Sequence, residues 1–139
     1  MLLPFVMCNP STADALKDDP TIRRCASFAR REKFSGIVVV NLFDFRATKV
    51  EDLVKAENRN SESNDKLLES LALESHNKHM PVVCAWGSII QKVDPKRGKW
   101  FRDMALMCGA RLVCLGKTKD GFPKHPLYVP FAQKFESYP

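Results

Sequence analysis

The chain has no Cys-x-x-Cys pair among its five cysteines, Cys8, Cys25, Cys84, Cys108 and Cys114, and their number is odd. That pattern suits neither a disulfide framework nor a cysteine-held cluster. Most of the five sit inside apolar runs, which reads as reduced, buried thiols of a cytoplasmic protein. No stretch approaches the roughly 18 consecutive apolar residues of a membrane span. Met1 to Met7 lacks a basic region and a cleavage site, so a signal peptide is not expected either. Neither a Gly-x-x-x-x-Gly-Lys loop nor a Gly-x-Gly-x-x-Gly turn occurs, which argues against an ordinary NTPase or a dinucleotide enzyme. Histidine is scarce. His76 and His79 lie three apart in a polar segment, but no cysteine or carboxylate set completes a metal site around them, so they read as surface residues and neither metal nor cofactor is expected. Internal repeats and low-complexity segments are missing too.

What is present is the composition of one ordinary domain spanning 1–139. With 139 residues and 45% hydrophobic side chains, the chain can bury a two- or three-layer core. Its formal charge is +6, and the basic residues partly cluster: Arg23, Arg24, Arg30, Arg31 and Lys33; then Lys92, Lys96, Arg97, Lys99 and Arg102; then Lys117, Lys119 and Lys124. Such an excess favours a polyanionic partner, while a surface tuned for solubility would carry the same charge.

Strand and helix signals alternate along the chain. Leu2 to Met7 reads as a first strand, with Pro4 suggesting an edge-like or irregular first half. A polar loop from Asn9 to Asp18 follows. Asp19-Pro20 then opens a helix, a capping carboxylate ahead of a proline at the first helical position, with Ile22, Cys25, Ala26 and Ala29 at helical spacing and Gly36 as the stop. Ile37 to Val40 is a β-branched run suited to a parallel strand buried on both faces, ending at Asn41. Thr48 and Glu51 form a capping box for a short helix through about Lys55. Asn58 to Asn64 reads as linker, Leu67, Leu68 and Leu71 as a helical stripe, Val82 to Trp86 as a third strand closed by Gly87, and Trp100, Met104 and Met107 as a helix ended by Gly109. Arg111 to Leu115 is the fourth strand. The alternation predicts an α/β fold, a three-layer α/β/α domain with a central four-stranded parallel sheet.

Polar residues at the C-terminal ends of strands are where open α/β sheets put chemistry. Asn9-Pro10-Ser11 comes directly off the first strand, in a loop that also holds Thr12, Asp14, Asp18 and Asp19. An Asn fixed before a proline can hold a water through its amide oxygen, and nearby carboxylates can take that water's proton; the same loop also reads as a plain polar turn. Asn41 offers a donor and an acceptor that match a pyrimidine edge, or satisfies its own backbone as a turn residue. Arg46, just beyond, faces phosphate or solvent. His125, before Pro126, is the candidate catalytic histidine, able to donate to an oxygen that gains charge. Trp86 either stacks on a base or fills the core, and Lys117, Lys119 and Lys124 flank a glycine-containing loop suited to backbone phosphates.

The phrases Asn9-Pro-Ser-Thr-Ala-Asp14, Asp19-Pro-Thr-Ile-Arg-Arg24, Asn41-Leu-Phe43, Trp86-Gly87 and Thr118-Lys-Asp-Gly-x-Pro-Lys-His-Pro-Leu-Tyr128 closely resemble a bacterial and phage family known as domain of unknown function 1643. Its members usually carry a further segment before the first motif, which this chain is expected to lack. More distantly, the motif order resembles that of the uracil-DNA glycosylase superfamily: a strand ending in Asp-Pro or Asn-Pro, a strand ending in a base-reading Asn, a strand ending in Trp-Gly, and a final His-Pro loop. That resemblance implies a uracil-DNA glycosylase-like fold with sheet order 2-1-3-4. It also implies a DNA-binding hydrolase in which Asn9 positions water, Asn41 reads the pyrimidine, His125 stabilises the departing base, and Leu127 or Tyr128 enters the duplex beside a flipped nucleotide. Ser11 and Arg46 are placed with the three loop lysines among the nucleic-acid contacts. The chain departs from that superfamily in having no evident thymine-excluding aromatic near Ser11 and Thr12, and in carrying Leu127-Tyr128-Val129 where a Ser-Pro-Leu tip is usual. A module that keeps the cleft without catalysis, binding nucleic acid or a host or phage protein, stands as the alternative, and an enzyme on free nucleosides as a third reading.

Overall fold

The computed structural model describes residues 1–10, 19–47 and 49–139. Strand β1 (Leu2–Met7) is followed by α1 (Pro20–Arg31), β2 (Gly36–Asn41), α2 (Val50–Lys55), α3 (Glu62–Lys78) and β3 (Pro81–Cys84). Then come α4 (Ile90–Val93), α5 (Pro95–Met107), β4 (Arg111–Cys114), a 3-10 turn (Pro126–Tyr128) and β5 (Glu136–Ser137). The strands form one sheet in the order β2-β1-β3-β4-β5, the first four parallel and β5 antiparallel to β4. The 2-1-3-4 order expected for the parallel strands is the one observed. The sheet has five strands rather than four, because the two-residue β5 is too short to leave a hydrophobic pattern in the sequence.

Side chains alternate across the sheet. Leu3, Phe5 and Met7 of β1, with Val83 and Val113, pack on one face against Cys25, Phe28 and Ala29 of α1. Val6, Val40, Val82, Cys84, Leu112 and Cys114 pack on the other face against Leu68 and Ala72 of α3 and Phe101 and Ala105 of α5. Helices therefore cover both faces, with α1 the one α-helix among the described residues on its side of the sheet. All five cysteines are free thiols, and four are buried; burial pushes the Cys8 and Cys25 thiols up to about 12, which keeps them protonated and unreactive.

Several local expectations need correction. β1 is central, not an edge. Met7 accepts from Leu42 on the β2 side and Val6 accepts from Ala85 on the β3 side. By alternation, Pro4 turns its missing N–H toward β3, which pairs with β1 only from Phe5 onward, so no ladder bond is lost. α1 starts as predicted, with Asp19 accepting from the Thr21 N–H at 2.8 Å, but ends at Arg31; Lys33 takes the left-handed conformation and Gly36 opens β2. Lys49 precedes α2 with no side-chain cap, and Thr48 lies outside the described residues. α3 begins inside the expected linker, capped by Ser61. Its buried side is Leu68, Leu71, Ala72 and Ser75, whereas Leu67 is exposed. The helix marked by Trp100, Met104 and Met107 is α5, which buries Gly98, Phe101 and Ala105 and leaves Met107 exposed. Short α4 has no counterpart in the sequence reading.

The segment after the 3-10 turn is strapped to α1. Arg24 donates to the Val129 carbonyl, Arg31 donates to those of Phe131 and Gln133, and the Phe28 ring meets Phe131 and Phe135. These contacts fix the loop carrying His125 beside the N-terminal end of α1.

Candidate functional site

The C-terminal ends of β1 and β2, the first turn of α1 and the His125 loop enclose a cleft of about 310 Å³. Asn9, Asn41 and His125 all line it, joined by Asp19 and Thr21, with Met7, Ile22, Val39 and Ala47 as apolar wall. These three residues are far apart in sequence, and the fold brings them together. The Asn41 carbonyl is taken by the Asn64 side chain at 2.8 Å, which ties down the backbone there. The Asn41 amide group itself has no hydrogen-bond partner among the described residues. Asn9 donates from its amide nitrogen to the Pro10 carbonyl at 3.3 Å, and its amide oxygen has no hydrogen-bond partner among the described residues.

His125 is half-buried, and its Nδ1 accepts the Leu127 N–H at 3.2 Å. An imidazole nitrogen that accepts a backbone N–H cannot carry a proton itself, so the proton of the neutral ring sits on Nε2 and makes that atom a donor. Burial lowers the His125 pKa below its ordinary value by penalising the imidazolium, and the negative charge of Asp19 acts in the opposite direction. The net effect favours a neutral donor. The loop is held from below as well: Gly87, at a φ of 70°, donates to the Pro123 carbonyl at 2.9 Å, and a Cβ placed on it would stand 3.3 Å from the Cβ of His125.

A larger cleft of about 550 Å³ adjoins the first and shares Met7, Asn9, Thr21 and His125 with it. It runs between the ends of β1 and β3, at the point where neighbouring connections leave toward opposite faces of the sheet. Lys124 lines it, together with Thr118, Ser88 and Lys92. Leu127 and Tyr128 stand at its rim; Tyr128 is 80% exposed with its ring 5.6 Å from that of His125.

Other expected residues are placed less directly. Lys117 and Lys119 are exposed on the 117–124 loop and line neither cleft, and Arg46 is exposed and lines neither. Ser11 lies outside the described residues, as do Thr12, Asp14 and Asp18. Trp86 touches the larger cleft but is only 1% exposed, with Phe101 and Tyr138 packed edge-on against it, so its ring has no free face on which a base could stack. Thr21 and Ser88 were not singled out from sequence, and Lys92 was noted only as part of a basic cluster. Ser88 follows the Trp86-Gly87 phrase and Thr21 follows the Asp19-Pro20 cap, so both sat beside legible signals.

The arrangement defines an α/β domain with its polar groups gathered at the C-terminal edge of a mostly parallel sheet. The chain belongs to the family described as Protein of unknown function (DUF1643), whose model matches residues 2–127. No curated protein and no solved structure matches it. No helix among the described residues is long and apolar enough to cross a membrane.

Proposed function

We propose that this domain recognises a base of nucleic acid, most readily a pyrimidine of DNA, and that its enzymatic form hydrolyses the N-glycosidic bond of that base. The observation that carries the reading is the meeting of Asn9, Asn41 and His125 in one cleft, with the His125 proton held on Nε2. The motif order shared with the uracil-DNA glycosylase superfamily, and the 2-1-3-4 order of the parallel strands that this likeness implied, support it further.

In this reading a flipped base enters the smaller cleft and Asn41 pairs with its edge through one donor and one acceptor. The C1′–N bond breaks and its electron pair passes to the base. His125 Nε2–H donates to the base oxygen on which that charge develops, and the neutral imidazole needs no proton transfer to do so. Asn9 holds the water whose oxygen bonds to C1′. Lys124 and Lys92 place positive charge along the larger cleft, where the phosphodiester backbone would run, and Leu127 and Tyr128 stand where a side chain would fill the space left by the base.

The test is a screen of purified protein against duplex and single-stranded oligonucleotides that each carry one normal or modified base, with released base measured directly. Wild-type protein is expected to release at least one pyrimidine. Asn9→Ala and His125→Ala are expected to slow release by roughly a hundredfold or more at unchanged fold, and Asn41→Asp to change which base is released. If no base is released from any oligonucleotide while salt-sensitive binding persists and His125→Ala binds normally, the domain is a binding module and hydrolysis is abandoned. If turnover survives both alanine changes, the residue roles are wrong.

A further inference from the structure

Hydrolysis at C1′ leaves a proton to be placed. The attacking water must lose one as its oxygen bonds to carbon, and Asn9 can orient that water but has no basic atom to receive it. His125 is committed as well: Nδ1 is filled by the Leu127 N–H, and Nε2 already carries its proton. A carboxylate is therefore the missing part, and the described residues supply one.

Asp19 lines the same cleft as Asn9 and His125. It is the N-cap of α1, where one oxygen, Oδ1, accepts the Thr21 N–H at 2.8 Å; the other has no hydrogen-bond partner among the described residues. The influence of Asp19 on the ring across the cleft is independent of activity: the negative charge of Asp19 is the opposing contribution to the titration of His125. Asp19 is thus a cleft-lining residue fixed in position by one oxygen, with the other free of hydrogen bonds among the described residues.

We infer that Asp19 is a catalytic residue of this site, the general base that takes the proton of the water held by Asn9; this rests on the glycosidic reading above. The water O–H bond breaks as its oxygen bonds to C1′, the proton passes to the Asp19 carboxylate, and the C1′–N electron pair leaves with the base toward His125. No redox partner or further reactant is needed. His125 is the other titratable group lining this cleft among the described residues, while Lys92 and Lys124 line the adjoining one.

The variant to make is Asp19→Asn, with Asp19→Ser beside it, because Asn and Ser cap helices about as well as Asp and keep the Thr21 N–H satisfied. Both should melt within a few degrees of wild type. Loss of a general base should slow base release by roughly a hundredfold or more. In Asp19→Asn the His125 pKa, followed by ring resonances, should fall, because the nearby negative charge is gone; this readout does not depend on turnover. An unchanged rate in folded Asp19→Asn overturns the inference. An unmoved His125 titration overturns the proximity on which it stands. Wild-type protein that releases no base, with His125 responding to Asp19→Asn as expected, defeats the glycosidic reading itself and takes the general-base role with it.

Discussion

Gly87→Ala should do more harm than its conformation alone explains, and Gly121→Ala measures how much conformation explains. Both glycines have positive φ, 70° at Gly87 and 88° at Gly121, so an alanine at either site is held in the left-handed region at a cost of about 1–2 kcal/mol. Their surroundings differ. A Cβ on Gly121 meets nothing within 4 Å, whereas one on Gly87 would lie 3.3 Å from the His125 Cβ and 3.7 Å from the His125 backbone nitrogen. The first of these contacts is tight, so the His125 loop must give by a few tenths of an ångström, and overpacking of this kind adds about 1–3 kcal/mol. In a chain of this size each kcal/mol moves Tm by roughly 3–5 °C. Urea unfolding of both variants gives the difference in stability. A long-range proton–nitrogen spectrum of the ring reports whether His125 keeps Nδ1 bare and Nε2 protonated. We expect Gly87→Ala to be the less stable by at least about 1 kcal/mol, with shifted His125 resonances, and Gly121→Ala to leave them alone. Equal destabilisation with an unmoved His125 would refute the idea that Gly87 sets the height of the histidine loop above the end of β3.

Two other expectations concern charge. Because burial lowers the His125 pKa in the folded chain, the unfolded chain takes up its proton first; the stability tied to neutral His125 is complete above about pH 6.5 and is lost as pH falls from there through the folded value. Urea midpoints of wild type and His125→Gln measured across that range should converge as the pH drops, and a gap that widens instead would reverse the sign assigned here. Nucleic-acid affinity should fall steeply with salt, and Lys124→Glu, in the cleft, should weaken binding across sequences more than Lys117→Glu or Lys119→Glu on the outer loop; equal losses at all three would move the phosphate path out of the cleft.

Much of the frame was legible because it rests on short-range rules. The β-branched run from Ile37 and the Asp19-Pro20 cap each specify an element through local chemistry, and each element appears where expected, although β2 lies at the sheet's edge with Val38 exposed and not buried on both faces. The strand order came from resemblance, not from periodicity. What the sequence could not supply were features set by tertiary contact. β5 exists because Val113 and Cys114 offer a free edge to Glu136 and Ser137, and Tyr138 beyond it anchors against Trp86. The buried side of α5 is chosen by the indole and the sheet above it, so Met107, apolar and at helical spacing, is nonetheless exposed.

Alternation along the strands accounts for which of the expected site residues reach the cleft. Asn9 lies two residues beyond Met7, and Asn41 two beyond Val39; Met7 and Val39 both belong to the face covered by α1. Met7 and Asn41 are also register partners, which brings the two asparagines to neighbouring positions at the sheet's end. The first turn of α1 arrives on that same face, which is why Asp19 and Thr21 join them. Trp86 has the opposite parity. It lies two residues beyond Cys84, whose side chain belongs to the α3 and α5 face, so the same rule sends the indole into the core beside Phe101 rather than toward a base. A Trp-Gly phrase at a strand end therefore cannot be read as a stacking platform until the parity of the strand is known. Here the parity assigns the residue to packing and leaves Gly87, one position on, as the part of that phrase that touches the site.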